Sequence, residues 1–275
     1  MINSFNQQQQ QQQPLTQLKG ETITKSNSPI CVRAMKYSPT LIVADSSTSN
    51  ITLYDTMNRC VRETFTVTTG CVKGVGVDPS NDSFYITTGK LLVKYDSEGV
   101  YLGKYGKNLD LKNPYGVAVD DAGNCYIADL DGKIVVMSNE GLLVRTIEME
   151  KPYDICFEPE FKYMVVSDQK KDVIRLITKN GEKVKKIGCK GNAKGQFNSP
   201  SGVFVDGFGQ IFVVDSSNHR IQMFDKTGKF LAAIGTRGKN DDELEFPRSV
   251  CVDYLGVMYA ADTSNNRVQS FKSSV

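Results

Sequence analysis

A single histidine, His219, stands among the 275 residues, which almost excludes multi-histidine metal chemistry and leaves little room for a Ser/His/Asp relay. No apolar run approaches about eighteen residues and no charged-then-apolar leader opens the chain, which argues against a membrane span or a secretory signal. The expectation is a soluble, cytoplasmic protein. Seven cysteines, at 31, 60, 71, 125, 156, 189 and 251, form no C-x-x-C pair, so neither a disulfide framework nor a zinc site is indicated. They read as small apolar core residues. The formal net charge is only +2, so a polyanionic partner must be held by a local patch.

Residues 1–13 include seven consecutive glutamines, a tract with nothing apolar to bury, so they are expected to form a disordered flank. Residues 14–275 show a different pattern. With Asp215 after Phe212-Val213-Val214 as a mark, comparable points recur at Asp45, Thr88, Asp129, Asp168 and Asp262, spaced 43, 41, 39, 47 and 47 residues apart. Each unit carries four short apolar or alternating runs, the signature of a β-propeller blade. The first run of each is apolar at consecutive positions, as in Val117-Ala118-Val119 and Val203-Phe204-Val205, and so is buried on both faces. A carboxylate follows it in five units (Asp78, Asp120, Glu158, Asp206, Asp253) and opens a turn.

Unit one is the weakest copy, with Arg33 and Lys36 where the others carry an aliphatic residue and a carboxylate. The sixth unit stops at Val275, after its third strand, and the stretch Leu15–Gly20 resembles the fourth strand of unit five. The N-terminal strand is therefore expected to complete the last blade and close the ring, which removes open sheet edges.

The segments "GQFNSPSGVFVD", "IFVVDSSNHRIQMFD" and "FPRSVCVD" with "MYAADTSNNRVQSF" resemble NHL repeats, and the likeness extends over all six units. The resemblance implies an all-β, six-bladed β-propeller similar to the C-terminal domain of TRIM-NHL proteins, several of which bind single-stranded or stem-loop RNA in messenger RNA repression. It predicts a monomeric RNA-binding domain that acts in post-transcriptional regulation with protein cofactors of mRNA repression. A scaffold that binds a peptide or partner domain on the same face is the alternative.

Successive strands are antiparallel, so the start of each innermost strand and the loop between the second and third strands share one face. The first column there is Cys31, Lys73, Tyr115, Tyr153, Ser201 and Arg248, expected around the channel mouth. Cations there would neutralise phosphate and aromatics would stack on bases. The loops add Lys90, Lys133, Lys171, Asn218, His219, Asn265 and Asn266, and the same loops carry Arg220 and Arg267, read as structural partners of nearby aspartates. Some NHL propellers are lyases and related six-bladed folds are lactonases, with calcium or zinc on axial carboxylates and histidines. With one histidine and the repeated carboxylates at turns on the far face, the reading is a non-enzyme with no catalytic residue, cofactor or metal.

Overall fold

The computed structural model describes residues 18–273, so the glutamine tract and Leu15–Gln17 lie outside the described residues. Among the described residues, twenty-four strands form six four-stranded antiparallel sheets. In five of them the strands run in chain order from the hub outward, beginning with β2 (Pro29–Ala34), β6 (Val72–Val77), β10 (Pro114–Val119), β14 (Pro152–Phe157) and β18 (Pro200–Val205). Neighbouring innermost strands contact one another right round the circle, from β2 against β6 to β22 (Ser249–Val252) against β2. The molecule is a closed six-bladed β-propeller. No helix among the described residues is long and apolar enough to cross a membrane.

The innermost strands are buried on both sides because each blade is sandwiched between two others. Close approach at the hub demands small residues: a Cβ on Gly74 would sit 2.2 Å from the Tyr115 carbonyl oxygen of the next blade, and one on Gly202 would sit 2.7 Å from that of Arg248. Second strands end at Asp45, Thr88, Asp129, Asp168, Asp215 and Asp262, as the spacing predicts.

The sixth sheet has the order β1-β24-β23-β22, where β1 is Leu18–Lys25, β23 is Met258–Asp262 and β24 is Arg267–Ser273. The N-terminal strand pairs antiparallel with β24 from Leu18 opposite Ser273 to Lys25 opposite Arg267. Closure therefore occurs as expected, a few residues later in the chain than Leu15–Gly20.

Blade one departs from the repeat for a reason the sequence does not display. Arg33 leaves β2 and reaches across the hub to the opposite blade, where its Nη2 donates to Asp154 Oδ2 at 2.7 Å. Arg33 Nη1 also donates to Ser249 Oγ at 2.9 Å and the Val32 carbonyl at 3.0 Å. Asp154, in the place where Gly74, Gly116 and Gly202 stand in other blades, accepts further bonds from the backbone N–H groups of Ile155 and Val203, both at 3.0 Å. Both partners are buried, so each would be a costly lone charge without the other.

Register also refines the comparison of copies. Pro29 pairs with Asp45 as Pro114 pairs with Asp129 and Pro200 with Asp215. Met35, not Lys36, thus stands where the turn carboxylate would be. The lost function is restored from blade two, where Asp82 accepts from the Lys36 and Tyr37 backbone N–H groups, both at 2.7 Å.

Candidate nucleic-acid interface

The innermost strands begin on one face of the wheel, called here the upper face, and the loops between second and third strands return to it. The innermost strands of blades one to five start with a β-bulge, for example between Pro114 and Val117 and between Pro152 and Ile155, whereas β22 of blade six pairs in regular register from Ser249. A bulge re-aims one side chain, and here it presents the residue after the proline toward the hub. That residue is Ile30 in blade one. Cys31 lies one place further on, 4 % exposed, and does not belong to the rim column.

The structure brings Lys73, Tyr115 and Tyr153 together. The Lys73 ammonium lies 4.9 Å from the Tyr115 ring centroid and donates to Asn113 Oδ1 at 2.6 Å. Desolvation holds this ammonium below the usual lysine range. The Tyr115 and Tyr153 rings are 4.9 Å apart and inclined at 42°. Burial pushes the Tyr153 phenol up, against the opposing pull of the Arg248 cation. A cation and two aromatics thus form an arc over blades two, three and four, with Arg248 of blade six beyond the buried Ser201 of blade five.

Other expected contacts are occupied within the fold. Tyr153 is 7 % exposed and Ser201 is fully buried, its Oγ donating to the Pro247 carbonyl at 3.4 Å. Neither offers a face to a base, so the expectation of direct contact is corrected for both. Asn218 Nδ2 donates to Asp215 Oδ2 and to the Gly191 carbonyl, each at 2.9 Å. Asn265 repeats this with Asp262 at 2.9 Å and the Gly238 carbonyl at 2.7 Å. Arg220 Nε and Arg267 Nε bind the same two aspartates at 2.8 Å, which bears out their structural reading.

His219 has positive φ, is buried, and accepts from the Phe246 backbone N–H through Nδ1 at 3.2 Å. Burial and the nearby Arg237 keep its imidazole below the usual histidine range, hence neutral at pH 7. Lys133 pairs with Asp110 at 2.9 Å and Lys171 with Glu150 at 3.0 Å, both pairs partly solvated. Lys90 and Asn266 are exposed.

The loops between blades supply most of the open positive charge: Lys107, Lys112, Lys151, Lys190, Lys194 and Lys239 are all exposed. Two shallow hollows lie where these loops meet blades five and six. One, of about 380 Å³, is lined by Lys190, Gly191, Asn192, Asn198 and Asn218. The other, of about 220 Å³, is lined by Lys239, Ser264, Asn265, Asn266 and Arg267. Asn192, Asn198 and Asn113 were not singled out by sequence reasoning. The 47-residue step linking Asn192 to Lys239 and Asn218 to Asn265 is the signal that could have found the first hollow. Among the described residues, no group of three or more His, Cys, Asp or Glu side chains is placed to hold a metal ion.

Comparison with known proteins places this geometry. The NHL repeat family matches residues 197–224. No curated protein matches the chain. Among solved structures, a gluconolactonase from Xanthomonas campestris is similar with TM-score 0.74 and 15 % identity, over 95 % of this chain and 91 % of its own. A streptogramin B lyase is similar with TM-score 0.70 and 14 % identity, over 94 % of this chain and 98 % of its own. A protein of unknown function from Bacteroides thetaiotaomicron has TM-score 0.76 and 14 % identity, over 93 % of this chain and 76 % of its own.

These likenesses correct the non-enzyme reading. Enzymes occupy the same wheel over almost its whole length, so the fold does not argue against catalysis. At such identities the likeness itself is one of fold. The chain is a six-bladed β-propeller that carries an NHL repeat at residues 197–224.

Proposed function

We propose that the upper face binds a short single-stranded or stem-loop RNA and serves post-transcriptional regulation of messenger RNA, as the resemblance to TRIM-NHL domains implies. The observation that carries this reading is the distribution of charge between the two faces. The loops between blades carry exposed Lys107, Lys112, Lys151, Lys190, Lys194, Arg237 and Lys239 against exposed Asp110, Glu150, Asp241 and Asp242, while the turns of the lower face carry Glu158, Asp206, Asp225 and Asp253 beside Lys162, Lys226 and Lys229. A phosphate backbone is drawn to the first face more than to the second.

In this reading Lys90, Lys190 and Lys239 contact phosphates, and the two hollows of blades five and six receive successive nucleotides one blade apart. Asn192 and Asn198 offer hydrogen bonds to base edges there. Tyr115 and Lys73 form a platform whose outer surface a base covers, Tyr153 supporting it from behind. The test is fluorescence anisotropy with a random RNA pool. Lys190→Glu with Lys239→Glu is expected to abolish binding, and Tyr115→Ala to weaken it by roughly 1–3 kcal/mol, the worth of one base on an aromatic. Affinity unchanged by all three substitutions would remove this face from RNA recognition.

A further inference from the structure

Blades five and six carry the same upper-face loop with one bond exchanged. In blade five the Gln222 amide is fully used: Nε2 donates to the Gln196 carbonyl at 2.6 Å and to Asp215 Oδ2 at 3.0 Å, and Oε1 accepts the Gly195 backbone N–H at 2.9 Å. In blade six Gln269 repeats the first two bonds, to the Glu243 carbonyl at 2.6 Å and Asp262 Oδ2 at 3.1 Å. Its Oε1 is fully buried and has no hydrogen-bond partner among the described residues. Asp242 stands 47 residues after Gly195 and keeps its left-handed backbone, with φ 70° against 75°. Here the loop bonds the closing strand instead, for the Asp242 carboxylate accepts the Gly20 N–H of β1.

The loop has thus exchanged a bond within its own blade for one to β1. Gly20 sits at the exchange: a Cβ there would lie 2.7 Å from the Asp242 nitrogen and 2.8 Å from the unpaired Gln269 Oε1. A buried acceptor without a donor is destabilising, so the seating of β1 cancels part of its own gain. Blade five shows the arrangement in which that loss is absent.

Two further bonds join β1 to the hollow of blade six. Arg267 Nη1 donates to Thr22 Oγ1 at 3.5 Å, and just past the strand the Asn266 carbonyl accepts the Ser26 N–H at 3.0 Å. Arg267 and Asn266 both line that hollow. In blade five the outermost strand is β21 (Phe230–Ile234), tied to its neighbour by the turn of residues 225–229. The strand β1 has no such turn and can leave without opening one. The hollow beside the tied strand measures about 380 Å³, and the hollow beside β1 about 220 Å³.

We propose that β1 is a releasable strap that regulates the blade-six hollow. Seated, it holds the hollow in its small form. Released, it lets the Asp242 N–H turn to Gln269 Oε1, and the hollow takes the form of its blade-five counterpart and admits a nucleotide. For its ligand this inference rests on the reading of the hollows as RNA subsites. Linkage is reciprocal, so RNA that fills the open hollow also loosens the strap.

The test uses the 275-residue chain carrying D242G. Glycine keeps the positive φ and lacks the carboxylate. Amide hydrogen exchange of residues 20–24 should become about tenfold faster or more, the worth of one hydrogen bond to a charged group. RNA affinity should rise about fivefold or more. A saturating random RNA pool should speed the same exchange in the wild type. T22V removes the Arg267 contact from the strap's side, should act in the same direction, and serves if D242G does not fold. Unchanged strand exchange in the variants would overturn the strap, as would RNA affinity equal to the wild type or RNA that slows the exchange. Absence of any RNA binding would overturn the reading of the face and the regulation with it, while faster exchange in D242G would still support a releasable strap.

Discussion

Blades five and six differ from blade one in where they find their support. In blade five, Asp215 gathers Asn218, Arg220 and Gln222, and Arg220 and Gln222 also tie down the incoming loop through the Gln196 carbonyl. Blade six repeats the set with Asp262, Asn265, Arg267, Gln269 and the Glu243 carbonyl. Blade one keeps such an anchor in Asp45, which gathers Ser26, Ser28, Ser47 and Thr48, but it has no arginine or glutamine on that aspartate and borrows the rest: Asp82 of blade two for its turn, Asp154 of the opposite blade and Ser249 of blade six for Arg33. A regular repeat is thus a blade that satisfies its own polar groups, and a degenerate one is a blade that satisfies them elsewhere.

Breaking the cross-hub pair should have the largest effect. Arg33→Ala leaves Asp154 buried without its cation and is expected to cost about 3–5 kcal/mol in urea unfolding. Replacing both partners, as Arg33→Met with Asp154→Leu, should recover most of that loss, because two well-packed apolar groups need no counter-charge. A double variant no more stable than Arg33→Ala would show that the pair matters for reasons other than charge burial.

Next come the self-contained networks. Arg220→Ala should cost about 1.5–3 kcal/mol, the range for hydrogen bonds to a charged group. Arg267→Ala should cost more, since Arg267 Nη1 also donates to Thr22 Oγ1 of β1 at 3.5 Å and its loss loosens the closing strand. Equal costs by thermal denaturation would mean that the closing strand takes nothing from this arginine.

The smallest effect concerns acid. Burial alone would raise the Asp45 carboxyl, but hydrogen bonds from Ser26, Ser28, Ser47 and Thr48 outweigh it and hold it below the usual carboxylate range. A depressed folded pKa stabilises above the unfolded value, about 3.9, and that stabilisation is lost as pH falls toward the folded value. Stability of the wild type should therefore drop below about pH 4 more steeply than that of Asp45→Asn. Parallel pH curves would remove Asp45 as a contributor.

The repeat was legible because strand alternation, turn carboxylates and hub glycines are local signals with a fixed period. Closure by the N-terminal strand was legible because a blade lacking its last strand and a spare strand at the other terminus complete one another. The rim was legible only in part. Lys73, Tyr115 and Arg248 stand where the period places them, but the burial of Tyr153 and Ser201 depends on neighbouring blades, which spacing along one blade does not encode. Asn218 and Asn265 read as readout groups because their amides are polar and in loops, and only the hydrogen-bond partners Asp215 and Asp262 reveal them as struts. Cys31 was misplaced by one residue because Ile30-Cys31 lacks the glycine that marks the bulge elsewhere.

The pairing of β1 with β24 has a temporal side. Of the described strands β1 is made first and its mate β24 last, so the two pair only after the strands between them exist. Until then a nascent wheel holds one edge unclasped and one ribbon idle. An edge left open in that way can template pairing with another chain, so the last strand to be made is also the one that shields the wheel from aggregation.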